Sequence, residues 1–438
     1  MTKPLVLTFA WIALATSASI AGCGSGSGSG SSPGDAGDDG GSSSSSGAGS
    51  SSGSGSSGGG SGSSGSGSGS GSSSGSSSGG SSSSSGGDSG VPTHAGNPNG
   101  SCSGGLPAGA APVDTSHPTA VIGTGTASSC TFAKLQAAVT AGGTITFDCG
   151  SAPATIAVTA QLDVPITTNT VIDGGNKITL DGGDAVRILS FDSPNWVNNE
   201  NRLTLQHITL VHGKTTPTQK IPQAPAPCSQ GWDDGQGGAV YMRDGNLTVI
   251  DSIFAFNQAA PLGPDTGGGA IYVQGSKHGM LIVSSTFTNN SGANCGAVGG
   301  LWSELDVYDS LVTNNTATGH DANNNDPTKC SAMNNGQNEI GSGGNGGALY
   351  SDGNSRNITL CGDDVSDNAA GVNAFGGGLF FTSDDMMGTL TITDTTMMGN
   401  TGGHWTNVST GSVTNAGTAI GVNAHSITIT SSMIQGYP

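Results

Sequence analysis

A short repeat constrains this chain more than any other feature. Gly-Gly-Ala, or a close variant, recurs ahead of an aliphatic residue at Val240, Ile271, Val298, Leu349 and Leu379. Farther along each segment, an apolar residue stands three positions before an Asn. The apolar column runs Leu210, Phe254, Phe287, Val312, Val365, Met397 and Ile434. Its companion runs Gly213, Asn257, Asn290, Asn315, Asn368, Asn400 and Tyr437. Successive apolar members lie 25 to 53 residues apart, centred near one solenoid coil. Between them come short alternating strands such as Leu247-Thr248-Val249 and Leu390-Thr391-Ile392, parted by Gly, Asn and Asp. A short strand cannot bury its apolar face alone, so stacked copies must share a core, as in a parallel β-solenoid. Stacking predicts apolar side chains piled inside and Asn257, Asn290, Asn315, Asn368 and Asn400 bonded as a ladder at a turn.

The Gly-Gly-Ala-aliphatic and Phe-x-x-Asn pair resembles the repeats of chlamydial polymorphic outer-membrane proteins. From about Cys130 to Tyr437 the pattern also resembles the pectin-lyase-like fold. The resemblance implies an all-β domain, a right-handed parallel β-helix over residues 130–438. Ahead of the repeats, Thr131 to Ala141 reads as a helix, with Phe132, Leu135 and Val139 on one face and Gly142-Gly143 ending it. In β-helix proteins such a helix caps the open N-terminal coil, and the same is expected here. No comparable cap is visible after Ile434.

The N-terminus reads as an address. Lys3 precedes an apolar run from Leu5 to Ala15, too short to span a bilayer and laid out as a secretory signal. Ile20-Ala21-Gly22-Cys23 resembles the bacterial lipobox. That resemblance implies cleavage after residue 22, a lipid on Cys23 and the bilayer as partner; Gly24 in place of Asp implies the outer membrane. Gly24 to Pro92 is almost entirely Gly and Ser, which explains a chain with 78 Gly and only 33% hydrophobic residues. Such a tract is a random coil with a reach of about 45 Å, a tether. The expected organisation is a signal peptide at 1–22, lipidated Cys23 and a disordered linker at 23–92, an N-terminal extension at 93–129 and the β-helix at 130–438. A net charge of −19 repels phosphate backbones and argues against nucleic acid as a partner.

Export permits disulfides. Cys130 and Cys149 flank the helix and the first strand, and their pairing would staple that end by about 3 kcal/mol. Cys330 and Cys361 stand about one coil apart, as do Cys295 and Cys330, which leaves their pairing open. With Cys23 committed to lipid, seven of the 8 Cys remain, so one stays unpaired within the chain.

Signals for chemistry are sparse. Gly341 to Gly346 matches G-x-G-x-x-G but opens no helix, so it is not a dinucleotide site. No Cys-x-x-Cys and no His spacing points to a metal site. The β-helix fold hosts polysaccharide lyases and hydrolases, which makes carbohydrate cleavage the enzyme alternative. Adjacent acids on a strand point to opposite faces and do not form a catalytic couple. Asp363 and Asp364 read as solvated turn acids. Arg243 with Asp244 is the least implausible catalytic pair. Calcium is the one cofactor with any candidate site, at Asp321, Asn323 and Asn325, whose oxygen groups alternate; the EF-hand Gly and Glu positions are not filled. A plain Asx-rich surface loop is the alternative.

After each Gly-Gly-Ala the aliphatic residue is expected to face inward. Tyr241, Tyr272, Tyr350 and Phe380 would then stack along the outside, broken at Gly299, and suit glycan stacking. Alternatively these rings fill a corner of the core. The sequence therefore describes a tethered outer-membrane lipoprotein displaying a β-helix for adhesion or polysaccharide binding. A polysaccharide lyase or glycoside hydrolase is the competing class.

Overall fold

The structure, a computed structural model, describes residues 90–221, 228–322, 341–402, 413–416 and 419–436. The expected signal segment, Cys23, the Gly/Ser tract, Asn323, Asn325 and Cys330 lie outside the described residues. What is described is all-β and almost wholly parallel, with no closed barrel, an arrangement compatible with a β-solenoid.

Three strand positions recur in each coil. The first contains Leu189–Asp192, Val240–Arg243, Ile271–Gln274, Val298–Leu301, Leu349–Asp352, Leu379–Thr382 and Ile420–Ala424, paired in parallel register. The second stacks Asn246–Ile250, Met280–Val283, Leu305–Tyr308, Asn357–Cys361, Thr389–Thr393 and Ser426–Thr430. The third stacks Ile253–Ala255, Thr286–Thr288, Leu311–Thr313, Asp364–Ser366, Thr396–Met397 and Met433–Ile434. The uneven repeat spacing does not disturb this register, because most of the extra residues lie between the third position of one coil and the first of the next. Inside, Phe254 and Phe287 stack with ring centroids 4.9 Å apart, and Val240, Leu349, Val365 and Met397 are fully buried in the same core.

Two corners separate the positions. At the first, residues such as Asp251, Ser284, Asp309 and Asp394 take the left-handed conformation. A polar column follows directly: Ser252, Ser285, Ser310, Asp363, Thr395 and Ser432. Each of the first five receives a hydrogen bond from the backbone N–H one coil before it, and the Thr395 N–H donates onward to Ser432. Asp363 is therefore buried in this column and not the solvated turn acid expected. At the second corner stand the asparagines. Asn257 donates from both its N–H and Nδ2 to Asn290 Oδ1, and the pattern repeats from Asn290 to Asn315, Asn315 to Asn368 and Asn368 to Asn400, at 2.9–3.1 Å.

The helix spans Phe132–Ala141, with the Thr131 side chain accepting from the Lys134 N–H and Gly142 following at φ 72°. Leu135 and Val139 are fully buried and join the core cluster of the coils. At the opposite end, Val413–Ala416 pairs antiparallel with Ile420–Ala424 and covers the outer edge of that strand.

Residues 90–118 form a strap over the outside of the second and third positions. Val91 and Ala95 pack on Val211, Ile253 and Ala255. The Asn97 N–H donates to the Asp309 carbonyl, and Cys102 is disulfide-bonded to Cys361. The chain then returns: Ala110 packs on Ile250 and Val283, Val113 bonds Gln206, and Thr115 bonds Asp173. It ends as the strand Ala120–Gly123 beside Gly143–Asp148. Cys130 pairs with Cys149. The partner of Cys361 is thus Cys102, not Cys330 or any other repeat cysteine, because the returning strap brings residue 102 onto the Asn357–Cys361 strand. Cys228 is also disulfide-bonded, and Cys295 is free and buried.

Candidate functional site

Alternation along the first-position strands places Val240 and Met242 in the core and Tyr241 and Arg243 outside. Register then aligns two outward rows across the coils. One runs Ser190, Tyr241, Tyr272, Gly299, Tyr350, Phe380; the other runs Asp192, Arg243, Gln274, Leu301, Asp352, Thr382.

The aromatic row does face away from the coil core, but it is not a solvent-exposed strip. Tyr272, Tyr350 and Phe380 are 2–3% exposed. Tyr350 stacks on Phe380 at 5.2 Å, and both join a separate buried cluster with Cys295, Ala322, Ala374 and Phe375. Those partners come from the segments between coils, which fold back over this face. The gap at Gly299 also has a physical reason. A Cβ there would stand 2.7 Å from the Tyr272 ring, which lies across the glycine. Burial raises the Tyr272 hydroxyl well above its ordinary pKa.

Among the described residues, the accessible part of this face lies on the first coils. Tyr241 is half-buried; its hydroxyl donates to Gln274 Oε1 at 3.1 Å, and the Arg187 guanidinium sits 5.0 Å over its ring. Arg243 is half-buried, its side chain 41% exposed, and pairs with Asp192 at 2.6 Å. Beside Gln274, the Trp196 ring lies against Gly275 and stays 40% exposed. Ring faces, a guanidinium, a carboxylate and an amide therefore converge on one patch. Trp196 was missed in the sequence because it belongs to no repeat column; a lone Trp in a Pro-Asn-rich turn was the available signal.

The structure does not bring the Arg243 and Asp244 side chains together. Asp244 is fully buried and accepts from Ser193 Oγ and from the N–H groups of Asn198 and Asn199 at 2.7–3.0 Å, which fixes the turn that carries Trp196. Its role is to hold that turn.

Deeper on the same face stand carboxyls in unusual states. Burial, with Asp233 nearby, pushes Asp265 up to about 6. Burial, with the charge of Asp384, raises Asp352 well above the carboxylate range, and Asp352 Oδ2 accepts from the Tyr350 hydroxyl at 3.0 Å. One oxygen on each, Asp265 Oδ1 and Asp352 Oδ1, is enclosed without a hydrogen-bond partner.

A second polar group lies under the strap. His207 Nδ1 meets Asp173 at 3.0 Å and its Nε2 lies 3.9 Å from Asp251. Asp173 also accepts from Thr115, Gln206 and the Gly175 N–H, which together hold it below the usual carboxylate range despite its burial. Next to it a cleft of about 420 Å³ is lined by His94, Asn176 and Asp251 among others. Because Thr115 belongs to the strap, this cluster mainly pins that segment. Of the calcium candidates only Asp321 is described; its carboxylate meets His320 and Asn373, and no group of three metal-ligating side chains occurs among the described residues. Searches against protein families, curated proteins and solved structures find no match to this chain.

Proposed function

We propose that this chain is a bacterial surface lipoprotein, anchored through Cys23 in the outer membrane, whose Gly/Ser tether displays a right-handed parallel β-helix capped by the Phe132–Ala141 helix. Its task is to contact polysaccharide, without metal or cofactor, through the patch of Trp196, Tyr241, Gln274, Arg243 and Asp192. The observation that carries this reading is the exposed Trp196 ring on the same face as the Arg243–Asp192 pair and the Tyr241–Gln274 bond. A flat ring and planar hydrogen-bonding groups match the apolar face and hydroxyl rim of a sugar. Purified protein is expected to be retained on one or more of a panel of neutral and acidic polysaccharides. Trp196→Ala should weaken that retention at least tenfold, with the melting temperature unchanged. Retention that survives Trp196→Ala would place recognition elsewhere. The anchor has its own check: Cys23→Ala protein should leave the membrane fraction.

A second reading is hydrolysis or elimination on the same polysaccharide. The carboxyl of Asp265, held near 6, favours it, since a carboxylic acid still protonated at mildly acidic pH can serve as a general acid. New reducing or unsaturated ends, lost in Asp265→Asn, would support this reading over plain binding.

A further inference from the structure

We infer that the strap and its disulfide carry the load of the tether and shield the coils that bear the candidate face from tension between the two ends of the chain. The argument begins with where the chain enters the fold. The Gly/Ser tract runs up to Gly90, and Gly90 does not lead into the first coil. It meets the Phe256 ring, and Val91 and Ala95 pack on Val211, Ile253 and Ala255, in the middle of the stack. From there the strap crosses successive coils. The Gly96 N–H donates to Thr286 Oγ1, Asn97 bonds the Asp309 and Gly362 carbonyls, and the Cys102 N–H donates to Asp309 Oδ1. Cys102 is then covalently joined to Cys361, 259 residues downstream.

A pull arriving from the tether can peel residues 90–101 from the surface, but it stops at Cys102. There it passes through the sulfur bridge into the Asn357–Cys361 strand. Residues 103 to 360 form a closed covalent loop through which no tension between the two ends of the chain is transmitted. That loop holds the helix, the Cys130–Cys149 bridge and the whole accessible patch, together with Asp265 and Asp352. Without the bridge the same pull would strip the strap back to Ala120–Gly123 and open the stack from its N-terminal coil, one parallel strand at a time. The bridge thus keeps the first coils folded while the chain is pulled between its tether and its C-terminal part. The physiological meaning rests on the tethered-display reading; the mechanical behaviour does not.

The experiment stretches single molecules of the full chain between a handle placed in the Gly/Ser tract and another at the C-terminus. Under oxidising conditions the unfolding events should add up to a contour length that lacks the loop. Adding reductant should release about 90 nm more, from the extended reach of about 3.5 Å per residue. Cys102→Ala with Cys361→Ala should release part of that length without reductant, the Cys130–Cys149 bridge and the bridge made by Cys228 staying closed. If oxidised wild type and the double variant stretch to the same length, the inference is overturned. Handles bypass the membrane, so Cys23→Ala protein that stays in the membrane fraction, with the 90 nm intact, would sink the display reading and leave the force path standing.

Discussion

Each interior asparagine of the ladder is used at every polar atom of its side chain. Asn315 Oδ1 accepts from the N–H and Nδ2 of Asn290, while its own Nδ2 donates to Asn368 Oδ1 and to the Phe287 carbonyl at 3.0 Å. No other side chain of this size both accepts twice and donates twice, which is why the column is Asn and not Asp, Ser or Gln. Asn315→Asp preserves the shape but removes both donations and turns a carboxylate toward Asn368 Oδ1. At this fully buried position the expected destabilisation is about 3–5 kcal/mol, measured by urea unfolding. A loss under about 1 kcal/mol would mean that the ladder is a passive consequence of stacking. The column was legible in the sequence because each Asn keeps a fixed three-residue offset from the apolar column and its chemistry is unique. The burial of Tyr272 and Tyr350 was not legible, because it depends on which intercoil segment folds back over which strand, and those segments share no repeat.

At the scale of the coil, the hydroxyl column two residues before the apolar column was present in the sequence but hidden by the abundance of Ser and Thr. It poses one anomaly. Where the coils of Phe254, Phe287, Val312, Met397 and Ile434 place Ser or Thr, the coil of Cys361 places Asp363, whose oxygens accept from the Ser310 and Cys361 N–H groups at 2.8 and 2.9 Å. Those two bonds only partly offset its burial, which leaves its pKa well above the ordinary range. A hydroxyl fills the same role elsewhere without a charge, donating to the carbonyl two residues earlier, as Ser310 does to Tyr308. Asp363→Thr is therefore expected to be neutral or stabilising by up to about 1 kcal/mol at pH 7, whereas Asp363→Ala should cost about 1–3 kcal/mol for the two N–H groups left unpaired. Guanidinium unfolding at pH 7 reads both. A Thr variant as damaged as the Ala variant would show that the carboxyl itself is required. The strap, by contrast, could not be read from sequence at all, since its contacts are made by residues hundreds of positions away and its composition is that of any Pro- and Gly-rich connection.

At the scale of the whole molecule, the displaced carboxyls among the described residues fall into two sets with opposite pH consequences. Asp265, Asp352, Asp363, Asp384 and Asp306 are raised, each chiefly by burial. The folded state binds their protons more tightly than the unfolded chain does. Their contribution is therefore complete below an ordinary carboxylate pKa of about 4 and is lost as pH rises through the folded values, about 6 for Asp265. Asp173 and Asp234 are partly buried and Asp385 is exposed, and hydrogen bonds lower all three, Asp385 to about 2 through Ser355, Met387 and Ser383. Their contribution is present above about pH 4 and lost as pH falls toward 2. Both sets favour folding only between these limits, and the net charge of −19 adds self-repulsion at neutral pH that protonation relieves. The stability maximum should consequently lie between about pH 4 and 5, with a higher melting temperature at pH 4.5 than at pH 7.5. Asp265→Asn should flatten part of that slope, by about 2 kcal/mol after allowing for its partial exposure. A melting temperature that instead climbs steadily from pH 4.5 to 7.5 would mean that the raised carboxyls reach solvent, and the enclosed acids on the first-position face would lose their basis as proton donors.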